Sequence, residues 1–169
     1  TFNPDESVIV EPVLYKNSVK KEIENNLMLF YLKSKRDASK ILKVQQLETP
    51  NKMNELRELK KLVTPLCNIF SDGSDLNRFG EVLDKGWNIK KSLTNEISSK
   101  EIDYYYEKAK SAGAIGGKLL GAGAGGFLLF YSEQKNQASI INALSELYHL
   151  PIEFDDGGSR IPYYDQPTV

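Results

Sequence analysis

A single cysteine and a single histidine among 169 residues leave no partner for an intrachain disulfide and no Cys/His cluster for structural zinc. That usage fits a reducing, cytoplasmic compartment. Long apolar runs are missing too. None approaches the about 18 residues that would cross a bilayer, and Pro4, Asp5, Glu6, Glu11 and Pro12 interrupt the stretch where a signal peptide would be apolar. No membrane partner is expected. Nor is there an excess of charge: 22 Lys and Arg face 23 Asp and Glu, for a net charge of -1, whereas nucleic-acid binding usually leaves a basic surplus. No nucleic-acid partner is expected either. The remainder, with 40% hydrophobic residues, is enough for one domain over 1–169 with a core that needs neither metal nor disulfide.

Thr1 stands where an initiator methionine would, and residues 2–7 read as a turn between two extended segments, so a piece of a longer chain is expected. Residues 8–15 are rich in β-branched side chains and broken by Pro12, which predicts an edge strand. The run Leu-Met-Leu-Phe-Tyr-Leu at 27–32 predicts a buried strand. Met53, Leu56, Leu59, Leu62, Val63, Leu66, Ile69 and Phe70 form one helical stripe ended at Asp72-Gly73-Ser74, and Cys67 on that stripe reads as an inert core thiol. Leu76, Phe79, Val82, Leu83, Trp87 and Leu93 predict a second helix. A third starts at Ser98, which has capping-box spacing to Glu101; its Tyr104, Tyr105 and Tyr106 cannot all face one way. Strands are predicted around Lys118-Leu119-Leu120 and from Phe127 to Tyr131. Ser132 then caps a helix that Pro151 stops and His149 closes, and Asp155-Asp156-Gly157-Gly158 turns a hairpin. This order argues for an α+β fold, helices on one antiparallel sheet.

Seven of the twelve glycines (113, 116, 117, 121, 123, 125 and 126) fall within fourteen residues, bounded by strand-like runs. Glycine admits positive φ and lets backbone N–H groups approach an anion, which is the chemistry of a phosphate cradle. Gly121-x-Gly123-x-x-Gly126 fits the dinucleotide fingerprint by letter, but a strand follows where that fingerprint needs a helix. The P-loop pattern fails as well, with Ala112 at its first glycine and Leu119 where Ser or Thr should reach magnesium. Close backbone packing in a tight hairpin is the alternative use of these glycines.

The segment Gly113-Ala114-Ile115-Gly116-Gly117-Lys118-Leu119-Leu120-Gly121-Ala122-Gly123-Ala124-Gly125-Gly126-Phe127 resembles the third motif of the galactokinase, homoserine kinase, mevalonate kinase and phosphomevalonate kinase (GHMP) superfamily. Phe2-Asn3-Pro4-Asp5, Val8-Ile9-Val10, Arg36 to Leu42, Trp87-x-x-Lys90-Lys91 and Gly158-Ser159-Arg160-Ile161 look like its branch acting on D-glycero-D-manno-heptose 7-phosphate. The resemblance implies the family's C-terminal domain, a ferredoxin-like antiparallel sheet with helices packed on one face. It implies ATP and Mg2+ as cofactors, held mainly by an N-terminal ATP-loop domain in cis, and a sugar-phosphate substrate. No catalytic residue is assigned to this chain. The turn Gly121, Ala122, Gly123, Ala124, Gly125 and Gly126 is expected to shape the nucleotide pocket. Ala124 replaces a commoner glycine, and its methyl asks for negative φ; Leu120 offers no hydroxyl. Arg36, just after a strand and near a helix start, is the candidate for the acceptor's phosphate. Lys90 and Lys91 are weaker candidates that otherwise decorate a helix face, and Arg160, after a tight turn, reads as structural. Alone, the chain is expected to be inactive and to expose an apolar docking face through which it could form a homodimer. A stand-alone binding module of the same fold, without catalysis, is the alternative.

Overall fold

The structure, a computed structural model, describes residues 1–33, 38–73, 75–155 and 157. Along them run α1 (Asn17–Asn26), β1 (Leu27–Leu32), α2 (Ala38–Glu48), a 3-10 turn at Thr49–Lys52, α3 (Met53–Lys61), α4 (Val63–Asp72) and α5 (Asn77–Lys91). They continue with α6 (Lys100–Ser111), β2 (Gly116–Leu119), β3 (Gly126–Tyr131), α7 (Gln134–Ala143) and β4 (Tyr148–Leu150).

β1 lies between β3 and β4, and β2 flanks β3, all pairs antiparallel, in the order β2-β3-β1-β4. Helices link β1 to β2 and β3 to β4, which is the β-α-β-β-α-β connectivity of a ferredoxin-like fold. Phe30 stands opposite Leu128 and Leu29 opposite Leu129. Although β1 is a continuous apolar run, its burial alternates from Met28 onward, with Leu29 and Tyr31 only half-buried. Its side chains Met28, Phe30 and Leu32 join Leu128 and Phe130 in the main core, over which α6 and α7 lay Ile102, Tyr106 and Ile140. Leu27 and Tyr131, alternate positions on β1 and β3, gather a smaller cluster with Val19 and Ile23 of α1 and Ile69 of α4. α5 contributes Trp87 to the first cluster and Phe79 to the second, and lies against β2.

Several local expectations change in the folded chain. Residues 2–7 do turn, with the Ser7 amide donating to the Asp5 carboxylate at 3.0 Å, but the edge strand at 8–15 shrinks to a single Phe2–Val8 bridge. Pro12 has no N–H to continue a ladder. The stripe from Met53 to Phe70 is two helices, not one, because Pro65 lies within the first turn of α4, where it cannot donate back to α3. Gly73 ends α4 at φ 64°, as the Asp72-Gly73 break predicts. Cys67 is half-buried rather than in the core. The cap of α6 is Ser99, whose side chain accepts from the Ile102 amide at 3.3 Å; the Ser98 hydroxyl instead donates to Asp103 at 2.9 Å. Ser132 caps nothing. It is fully buried, and its hydroxyl donates to the Glu133 carbonyl at 3.1 Å. α7 ends at Ala143, well before Pro151, because residues 148–150 pair with β1; His149 lies on that strand, its ring 5.0 Å from Phe30. The return arm of the predicted hairpin, with Arg160, lies outside the described residues.

Candidate functional site

Residues 121–126 close the β2–β3 hairpin, fastened at its base by the Leu120 amide donating to the Phe127 carbonyl at 2.8 Å. Four of the six have positive φ: Gly121 (80°), Gly123 (134°), Ala124 (60°) and Gly126 (103°). Ala124 therefore adopts the left-handed conformation that its methyl was expected to refuse. The cause is tertiary: its amide donates to the Ile97 carbonyl at 2.8 Å, and its side chain is 1% exposed in the main core. Burial and that bond offset a conformation costing about 1–2 kcal/mol for an L-residue. Among the described residues, none accepts a hydrogen bond from the amides of Gly121, Ala122, Gly123 or Gly125. A chain of unpaired amides in such a turn is chemically suited to an anion.

The glycines divide between two uses. Gly123 fits against Ile97, where an added methyl would come 2.9 Å from the Ile97 Cα. Gly116 fits against α5, where it would overlap the Gly80 carbonyl. Here the close-packing alternative holds. Gly121 has nothing within 4 Å of where a methyl would be, so its glycine serves conformation and not space.

The two neighbouring lysines separate. Lys90, at the end of α5, donates from Nζ to the Gly121 carbonyl at 2.6 Å, so it belongs to the turn rather than decorating a helix face. Burial pushes its pKa below the usual lysine value, and the charge of Lys118 on β2 adds to that. Lys91 points elsewhere, pairing with Asp103 at 3.3 Å and lying 5.8 Å from the centre of the Trp87 ring. Arg36 lies outside the described residues. Of the three tyrosines, Tyr104 is exposed and Tyr106 deeply buried.

At the start of β2 is a polar cluster that periodicity could not reveal. The Tyr106 hydroxyl lies 2.8 Å from the Asp84 carboxylate and 3.1 Å from the Gly117 carbonyl, one donor between two acceptors. Burial raises the Tyr106 pKa, and the hydrogen bond to Asp84 raises it further. Lys110 pairs with Asp84 at 3.1 Å and donates to the Ile115 carbonyl at 2.6 Å. Three elements, α5, α6 and β2, are thus tied together at the strand leading into the turn. Tyr106→Phe should cost about 2 kcal/mol, since it strands a buried carbonyl. A lowered urea midpoint would register the loss; an unchanged midpoint would show that the hydroxyl holds nothing.

Residues 56–150 match the family described as GHMP kinases C terminal. The chain is 28% identical over 145 residues to D-glycero-α-D-manno-heptose 7-phosphate kinase of Campylobacter jejuni, covering 85% of this chain and 42% of that protein. Among solved structures, mevalonate kinase of Methanococcus jannaschii superimposes with a TM-score of 0.65 at 20% identity, over 80% of this chain and 41% of that one. A D-glycero-D-manno-heptose 1-phosphate kinase of Bacteroides thetaiotaomicron gives 0.58 at 23% identity, over 89% and 39%. These likenesses establish the shared fold, and the chain spans less than half the length of each of these relatives. With more than half of its residues inside the family match, and the glycine turn among them, the chain belongs to the C-terminal domain family of the GHMP kinases.

Proposed function

We propose that this chain is the C-terminal domain of an ATP-dependent sugar-phosphate kinase, which moves a phosphoryl group from ATP to a sugar hydroxyl. The acceptor we assign is the anomeric hydroxyl of D-glycero-D-manno-heptose 7-phosphate, in the supply of heptose for surface polysaccharide. The observation that supports this most is the glycine turn, with its open amides and the Lys90 ammonium fixed at its first carbonyl. The similarity to the heptose 7-phosphate kinase supports the acceptor.

Phosphoryl transfer is mostly positioning and charge stabilisation around the transferred group. Residues 121–126 fit the first need, since their backbone can approach a phosphate with few side chains in the way; Lys90 fits the second. ATP, when bound, supplies the phosphoryl group. Mg2+ has no evident seat: among the described residues no three His, Cys, Asp or Glu side chains gather to hold a metal. In this reading the ATP loop, the metal and the acidic catalytic group come from an N-terminal domain in cis, and the chain is inactive by itself. Phe2 and Val10, each 88% exposed, and Leu14, 77% exposed, put apolar surface where such a domain could dock.

Incubating the 169-residue chain with Mg-ATP and the heptose 7-phosphate should release no ADP. A longer protein that includes the ATP-loop domain should release ADP in step with a heptose bisphosphate. Turnover by the shorter chain would overturn the incompleteness of its site. No turnover by the longer one would overturn the kinase reading and favour a ferredoxin-like binding module.

A further inference from the structure

Between α3, α4 and α5 runs a groove of about 270 Å³ whose walls are apolar, including Leu62, Leu66, Leu83 and Trp87, and whose end carries Lys90 and Lys118. The two lysines reach it from different elements. Lys90 comes from the last turn of α5; Lys118 stands on β2 three residues before Gly121. Among the described residues no carboxylate forms an ion pair with either, whereas Lys91, next to Lys90 in the chain, pairs with Asp103. Two cations close enough for one to bear on the other, with Lys90 partly desolvated and neither paired with a carboxylate, leave positive charge that an anion would relieve. Trp87, one of the residues lining the groove, carries an unmet donor. The indole Nε1 of Trp87 is buried with no hydrogen-bond partner among the described residues, in a side chain 1% exposed. A buried donor left in this way is uncommon.

We propose that Lys90 and Lys118 hold the phosphate of a phosphorylated ligand at the mouth of this groove, beside residue 121. The shared chemistry is a phosphate group, supplied either by a nucleotide or by a sugar phosphate. The proposal rests on the kinase reading only for which of these the longer protein would present. Lys90 links the two parts of the site: the ammonium that would meet the phosphate also holds the Gly121 carbonyl, so occupancy of the groove and the shape of the turn are coupled through one side chain.

Trp87 is the only tryptophan, so its fluorescence reports the groove directly. The 169-residue chain would be titrated with inorganic phosphate, ADP and mannose 6-phosphate to millimolar concentration. At least one should change the emission saturably, and whether ADP or mannose 6-phosphate binds more tightly identifies the source. Lys118→Met and Lys90→Met should each weaken that binding about tenfold, the usual scale for one charged hydrogen bond. Lys90→Arg should retain most of it. Circular dichroism would establish that each variant is folded, and Lys118→Met leaves the Lys90–Gly121 contact untouched. Failure of all three probes to saturate, or equal affinity in wild type and Lys118→Met, would overturn the proposal. In the longer protein, unchanged kcat and KM on replacing Lys118 by Met would remove the lysine site and leave the kinase reading standing. Lysine-dependent phosphate binding without turnover would do the reverse.

Discussion

Gly116→Ala should lower the stability of the chain by about 3 kcal/mol, the upper part of the usual range for forcing atoms into a packed interior. For a domain of this size that is a fall of roughly 10 °C in Tm. The added methyl would overlap the Gly80 carbonyl and also come 2.9 Å from the Asp84 Cβ. The principal clash is with backbone inside α5, which cannot rotate away as a side chain could. Moving α5 outward would pull Asp84 from Tyr106 and Trp87 from the main core. The reciprocal change, Gly80→Ala, meets Ile115 and Tyr131 side chains at 2.9 Å and no backbone that close, so it should cost less than Gly116→Ala. Thermal melts of the two variants followed by circular dichroism would test this ordering. A Tm for Gly116→Ala within a degree or two of wild type would mean that α5 and β2 do not approach so closely.

The parts of this fold written in the sequence are those where one signal suffices. The apolar run at 27–32 can be only a buried element, and the glycine-rich stretch between two apolar runs can be only a hairpin. α1 is different: two inward apolar residues, Val19 and Ile23, in a ten-residue polar segment give too weak a periodicity to announce a helix. β4 is three residues long and exposed, and it exists because β1 offers it an edge. At the site, the composition of the turn indicates positive φ in general, yet the φ of Ala124 depends on a carbonyl 27 residues earlier in the chain. The same limit explains the lysines. Lys90 and Lys91 are adjacent in sequence, and only the rotation of α5 against β2 sends one to the turn and the other to Asp103. Lys118 reads from the sequence only as part of a strand beside the glycine-rich turn, because its relation to Lys90 requires the sheet and helix together.

Within the turn, Gly121→Ala and Gly123→Ala should separate conformation from space. Both positions have positive φ, so each substitution carries backbone strain of about 1–2 kcal/mol. At Gly121 that is the whole cost, since the methyl would meet nothing. At Gly123 the methyl would also press 2.9 Å from the Ile97 Cα and 3.0 Å from the Ile97 carbonyl oxygen, the acceptor for Ala124. The turn can relieve that only by leaving Ile97, which breaks the bond holding Ala124 in its left-handed conformation and displaces the open amides before it. Gly123→Ala should therefore lower Tm by several degrees more than Gly121→Ala. In the longer protein it should cut ADP release about a hundredfold, the scale expected when reacting groups are misplaced by about an ångström. Ala124→Gly should be nearly neutral in Tm, because relief of strain is offset by a freer unfolded chain and a lost buried methyl. Equal Tm for the two glycine variants would show that Ile97 does not constrain the turn. Full activity in Gly123→Ala, with its Tm lowered as expected, would show that the amides of the turn take no part in transfer.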